Sequence, residues 1–182
     1  MPQRINTQRL STHGLKKSAG KQKGMTFIEV LIALFIMVTG ILGAVAMQAT
    51  AKKGSFDAMQ RSLASSLAQD IIERMRSDDA SILNAYISTE YGKGVTCSGG
   101  CSVFTQTNID EFELALTGGD VLLGGNHAGG LVDARACVDV SNNAVTVVVT
   151  WQGRTVTVDG STEGCGASGK QRRQVLVEGF IF

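Results

Sequence analysis

The chain has 182 residues, 43% apolar and 18% charged, with 17 basic against 16 acidic side chains for a net charge of +1. That length allows one domain with an appendage, and the near-balanced charge excludes a body-wide polyanion-binding surface. The balance is uneven along the chain: residues 1–24 hold six bases (Arg4, Arg9, Lys16, Lys17, Lys21, Lys23) and no acid, leaving 11 bases against 16 acids, or −5, for the remainder.

After this basic arm, Val30 to Met47 read VLIALFIMVTGILGAVAM, 18 residues without a charge. A stretch of roughly 20 residues at about 1.5 Å each spans the hydrocarbon core of a bilayer. The bases crowd the N-terminal side, so the positive-inside rule keeps the N-terminus cytoplasmic and exports the body. A cleaved signal peptide wants an apolar core of about 7–15 residues before a small-x-small site. Ala49-Thr50-Ala51 and Ala44-Val45-Ala46 offer such sites, but the apolar run is too long, and no Cys near its end supports a lipoprotein anchor.

Glu29 stands at the start of this segment. A carboxylate well inside a bilayer costs about 2.5–3.5 kcal/mol, whereas one in the head-group zone costs little. A functional role needs a cation away from water. No Lys or Arg follows until Lys52, about 35 Å along a helix. A cut before Met25 would create an α-amino group four residues away, able to pair with Glu29 on its own helix or on a neighbour's.

KGMTFIEVLIAL, with Gly24 before the cut, Met25 as first mature residue and Glu29 fifth, resembles the leader and cleavage motif of type IV prepilins. The resemblance implies removal of residues 1–24 by prepilin peptidase, a membrane aspartyl protease, and N-methylation of Met25. It also implies that Glu29 docks the subunit by neutralising a neighbour's terminal amine. Met25 stands where most members have Phe.

Beyond Lys52 and Lys53, apolar residues recur at Phe56, Met59, Leu63, Leu67, Ile71 and Met75, with Gln60, Arg61, Ser62, Ser65, Ser66, Gln69, Asp70, Glu73 and Arg74 between them as the wet side. This spacing predicts one helix over residues 25–76, roughly 78 Å long, whose second half is one-sided and packs on the following domain. ASSLAQDIIERMRS (64–77) extends the resemblance, over residues 20–77, to PilV-type minor pilins and the minor pseudopilins of type II secretion.

Residues 81–133 read as irregular: ten glycines fall between Gly92 and Gly130, with turns at Gly118-Gly119, Gly124-Gly125 and Gly129-Gly130. A strand or short helix fits Ile109–Leu116. The period then becomes two over Ala134–Ser141, Ala144–Trp151, Arg154–Val158 and Gln174–Phe182, with hairpin turns at Ser141-Asn142-Asn143 and Gln152-Gly153. These four segments predict an antiparallel sheet laid on the helix stripe. The expected fold is α+β and type IV pilin-like: a long N-terminal helix packed on a C-terminal antiparallel β-sheet. The expected organisation is a basic leader (1–24), a transmembrane and filament-core helix (25–53), its amphipathic half (54–80), a Gly-rich loop region (81–133) and a sheet with a Cys-bearing loop (134–182).

Four cysteines beyond the membrane segment suit an oxidising compartment and allow three connectivities. Cys97–Cys101 is favoured because three intervening residues, two of them Gly, close a small ring; Cys137–Cys165 remains. CxxxC with distant singles is poor zinc spacing, so no metal or cofactor is expected.

The remaining chemistry is thin. GCGASGKQ (164–171) matches phosphate-loop patterns, but strand-like residues follow it where those motifs need a helix. His127 is the one histidine after the cut, Asp120 and Asp133 make no triad with it by position, and Asp110-Glu111-Phe112-Glu113 reads as an acidic surface turn. Lys170, Arg172 and Arg173 form the body's one basic cluster, without the interleaved aromatics of a nucleic-acid surface. Nothing supports an enzyme.

The reading is therefore structural. The resemblance implies a minor pilin that primes pilus assembly, sits in a tip complex and serves adhesion and twitching motility. Its implied partners are prepilin peptidase, other minor and major pilins and an inner-membrane assembly platform. It would cross the inner membrane before assembly, body in the periplasm, and then reach the pilus at the cell surface. The alternatives are a type II secretion pseudopilin, a DNA-uptake pilin and an ordinary single-pass or secreted binding module.

Overall fold

The structure, a computed structural model, describes residues 24–97, 101–119, 121–157 and 162–182, with only the backbone of Asn126 and His127. Two units divide between Ala44 and Val45. The described part of the first is residues 24–44, which enter the helix α1 (Phe27–Arg76). Every residue from Gly24 to Ser55 is exposed; this is the apolar segment, whose length and composition suffice to cross a membrane.

In the second unit the C-terminal part of α1 packs on a four-stranded antiparallel sheet. The sheet runs in the order β1 (Ser88–Tyr91), β4 (Arg135–Ser141), β5 (Ala144–Gln152) and β6 (Arg172–Phe180). A 3₁₀ turn (Ala80–Tyr86), the helix α2 (Val103–Thr117) and a small hairpin of β2 (Leu122–Leu123) and β3 (Asn126–His127) complete it. The β4–β5 turn has Asn142 at φ 49° and Asn143 at φ 66°, the left-handed pair that a two-residue hairpin requires.

The buried face of α1 is Gln60, Ala64, Leu67, Ala68, Ile71, Ile72 and Met75. It meets Val145, Val147, Val149 and Trp151 in one core with Tyr86, Tyr91, Phe112 and Leu116. The expected stripe needs correcting at its start. Met59 is 57% exposed and Gln60 only 3%, because the Gln60 carbonyl accepts the N–H of Val132 at 3.1 Å. A buried amide with a partner sits on the core face that periodicity gave to a thioether. Near the far end, Gly179 of β6 lets the helix approach: a Cβ there would lie 3.0 Å from Ile72 Cγ2.

The sheet differs from expectation in one strand. Residues 154–157 lie outside any strand, and the fourth strand is β1; Val158 falls outside the described residues. The Gly153 N–H donates to Gln171 rather than closing a hairpin, and residues 153–155 turn to the Asp57 side chain instead. Nor is 81–133 irregular throughout. Helix α2 starts at Ser102, whose Oγ accepts the Thr105 N–H, and ends at Gly118 in the left-handed region. Between these caps Ile109, Phe112 and Leu116 are fully buried, and Phe112 meets the Tyr91 ring edge-on at 5.2 Å.

Candidate functional site

Gly24, Met25 and Thr26 have no regular structure, and α1 begins at Phe27. The Thr26 carbonyl accepts the N–H groups of Glu29 at 3.0 Å and Val30 at 3.3 Å, which makes Thr26 the helix cap and puts Glu29 in the first turn. Thr26-Phe27-Ile28-Glu29 thus has the spacing of a capping box. No side-chain bond joins the two ends of that box, and Glu29 makes no ion pair among the described residues. Nothing lies within 4 Å of a Cβ built on Gly24, so packing places no demand for glycine there.

Severing the 24–25 bond would put an ammonium at the positive end of the helix dipole, where a cation is disfavoured. Glu29, four positions on and about 6 Å along the axis, is the carboxylate within reach. The same group can meet an ammonium presented by another subunit. Pairing the two charges would offset part of the cost of holding either one in an apolar environment.

Several of the body's charged groups are engaged internally. Arg172 is 4% exposed and donates through Nη1 to the Asp133 carboxylate and carbonyl, both at 2.8 Å, and through Nη2 to Thr150 Oγ1 at 3.0 Å. Arg173 faces Asp57 at 3.3 Å. Of the basic cluster only Lys170 is exposed without an ion pair among the described residues. The acidic stretch expected as a surface turn lies within α2, and its groups are dispersed: Glu113, buried, accepts the N–H groups of Gly92, Gly94 and Val95, Glu111 pairs with Arg74, and Asp110 accepts from Gln106 at 2.6 Å. After GCGASGKQ the chain enters β6 directly, so no helix N-terminus faces that loop. The His127 side chain and Asp120 lie outside the described residues. No metal-ligand cluster is found among the described residues.

Asp57 anchors α1 to this network. Burial raises its carboxyl, but the Arg154 N–H at 2.8 Å, the Thr155 hydroxyl and the Arg173 charge outweigh that and hold it below the usual carboxylate range. The Arg154 guanidinium also lies 4.2 Å over the Phe56 ring. Tyr86 is pushed up to about 12, first by burial and then by its bond to Asp78 at 2.9 Å, against the opposing Asn108 amide. Sequence reasoning missed Asp57, Gln60 and Glu113 as partners, because their donors lie 97, 72 and 21 positions away.

Both cysteine pairs are bonded: Cys97 with Cys101, Cα atoms 6.4 Å apart, and Cys137 with Cys165, Cα atoms 5.9 Å apart. The second ties β4 to the loop before β6, where Thr150 Oγ1 also donates to the Cys165 carbonyl at 3.1 Å.

Residues 20–45 match the family model described as the prokaryotic N-terminal methylation motif. It covers Gly24, Met25 and Glu29. No curated protein and no solved structure gives a significant match. The motif supports a type IV pilin-like or pseudopilin role, with processing by prepilin peptidase and assembly with other pilins. With the apolar helix it supports membrane anchoring. The long helix on a C-terminal antiparallel sheet is a pilin-like architecture.

Proposed function

We propose that this chain is a minor pilin of a type IV pilus, a structural subunit without catalytic activity, that helps prime assembly and sits in a tip complex serving adhesion and twitching motility. The observation that carries this is Glu29: a carboxylate in the first turn of an exposed apolar helix, inside the matched motif, four residues from the proposed new terminus at Met25 and without an ion pair among the described residues. In this reading Gly24 is recognised for cleavage, Met25 is N-methylated, and Glu29 receives the amine of a neighbouring pilin as subunits leave the inner membrane. The assembly platform and the major pilins are then its working partners. DNA uptake is disfavoured because Arg172 and Arg173 already hold Asp133 and Asp57.

Mass spectrometry of the protein from host cells tests the reading. The expected chain starts at N-methylated Met25, and Glu29→Ala is expected to leave that processing intact while removing the subunit from sheared filaments. A chain starting at Lys52, or retaining Met1, would overturn it.

A further inference from the structure

Contacts along α1 within the second unit show which end of the body lies nearest the membrane segment. The apolar run ends at Met47, and Lys52 and Lys53 follow it in that unit, which puts the lipid surface near those lysines. Strand β6 meets α1 at its far end, Gly179 against Ile72. At the near end the Asp57 side chain accepts the Arg154 N–H and the Gln60 side chain accepts the Val132 N–H. Helix α2 runs back along α1 toward this near end: Thr105 donates to Asp78 at 2.7 Å and Glu111 pairs with Arg74. Gln60 is seven positions past Lys53, about 10 Å along the axis.

Two loops emerge at this end. The β2–β3 hairpin follows α2, and its base is held where the Leu131 N–H donates to Leu116 at 3.0 Å and the Ala128 N–H to Val121 at 2.8 Å. Its tip carries Leu122, 61% exposed, and Leu123, 76% exposed, then Gly124 and Gly125, both at positive φ. Paired leucines on a glycine turn bury little in the body, and leaving them in water forfeits the gain of burial. From Gly118 to Leu123 an extended chain reaches up to about 17 Å, more than the 10 Å that separates the level of Gln60 from that of Lys53. The second loop, 153–157, exposes Val156 and Arg154. The Arg154 guanidinium lies over Phe56, less than one turn past Lys53. Lys52, Lys53 and Arg154 make no ion pair among the described residues, whereas Asp57 and Asp133 nearby already face Arg173 and Arg172.

We infer that this end of the body rests on the phospholipid surface that α1 enters, with Leu122 and Leu123 in the head-group zone and Lys52, Lys53 and Arg154 against lipid phosphates. Exposed apolar side chains beside unpaired bases are the composition of an interfacial contact. The anchor holds them next to a bilayer at high effective concentration, so contacts too weak to bind lipid alone suffice. The inference rests on the membrane anchoring of α1, concerns the chain before assembly, and is separate from the pairing of Glu29.

The full chain, in nanodiscs of phosphatidylethanolamine and phosphatidylglycerol that hold one copy each, tests this. Single cysteines labelled with an environment-sensitive fluorophore are read by lipids carrying a nitroxide either just below the head group or deep in the acyl chain. Leu123→Cys is expected to be quenched by the shallow nitroxide at least threefold more than Thr107→Cys, an exposed position toward the far end of α2. Leu42→Cys, in the apolar run, should be quenched by the deep nitroxide and reports the anchor by itself. Adding Leu122→Asn to Leu123→Cys should reduce shallow quenching to the level at 107. Joint replacement of Lys52, Lys53 and Arg154 by Gln, which leaves the hairpin untouched, should lower it at least twofold, with the near-ultraviolet circular dichroism retained. Equal shallow quenching at 123 and 107, with position 42 still quenched, would overturn the docking and leave the anchoring intact. Loss of quenching at 42 would overturn both. Insensitivity of position 123 to the Gln replacements would overturn the phosphate contact, and protection of 123 only in discs holding two copies would assign the hairpin to a neighbouring subunit instead.

Discussion

Asp57 on α1 and Arg173 on β6, 116 positions apart, hold their carboxylate and guanidinium 3.3 Å from each other. The Arg154 N–H and the Thr155 hydroxyl fill the rest of the carboxylate's coordination, so one short acidic side chain fastens the helix to the sheet and to the loop between β5 and β6. The folded carboxyl titrates below its unfolded value. Its contribution is therefore present above about pH 3.9 and lost as pH falls through the lowered folded value. Asp57→Asn is expected to cost about 1–2 kcal/mol at pH 7, since it weakens two bonds and leaves Arg173 half-buried without its counter-charge. Urea unfolding followed by Trp151 fluorescence should show wild type and variant converging in acid; a pH-independent gap would assign the loss to packing alone.

Ile72 and Gly179 set the distance between helix and strand. A Cβ at 179 would stand 3.0 Å from Ile72 Cγ2, tighter than ordinary van der Waals contact. Gly179→Val adds branched methyls at that point and is expected to destabilise by about 1–3 kcal/mol. Ile72→Ala alone should cost about 2–5 kcal/mol through the cavity it leaves. The double variant should cost clearly less than the two together, because each change relieves the other. Additive losses in equilibrium unfolding would mean that Ile72 moves aside freely.

Glu113, on α2, accepts three loop donors, the N–H groups of Gly92, Gly94 and Val95, with both oxygens used. Glu113→Gln keeps the shape but turns an amide NH₂ toward donors, at an expected cost of about 2–3 kcal/mol. Hydrogen exchange should quicken first at residues 92–95. Unchanged exchange there would show that the loop is held by Arg135, whose Nη1 donates to the Gly92 carbonyl at 2.9 Å.

These three contacts mark where the sequence stopped being legible. The apolar helix and strands β4, β5 and β6 are written in local patterns: an uncharged run, a change of period, an Asn-Asn turn. Gln60 looked like the wet side because its buried partner is a single N–H 72 positions on. Strand β1 reads Ser-Thr-Glu-Tyr and buries only Tyr91, too short to show alternation. Helix α2 begins Val-Phe-Thr-Gln-Thr, a stretch whose β-branched residues argue weakly for helix until the caps at Ser102 and Gly118 are seen. At the N-terminus, the methylation motif matched over residues 20–45 was readable because its pattern is contiguous. What the structure adds there is the position of Glu29 in the first turn, without a side-chain partner among the described residues.

The two disulfides are expected to contribute unequally. A cross-link stabilises largely by restricting the unfolded chain, by an amount that grows with the loop it closes. Cys137 and Cys165 are 28 positions apart and Cys97 and Cys101 only 4. Replacing the first pair by alanine should cost about 3–4 kcal/mol and the second about 2 kcal/mol on that basis. Cys165 is also buried, against the Val148 carbonyl and beneath Thr150, so its loss removes packing as well as a constraint. Thermal unfolding of the two double variants, with the other disulfide verified by mass spectrometry, provides the comparison. An equal or reversed order would mean that Arg172, through Asp133 and Thr150, already fixes the loop before β6, leaving the longer cross-link little freedom to remove.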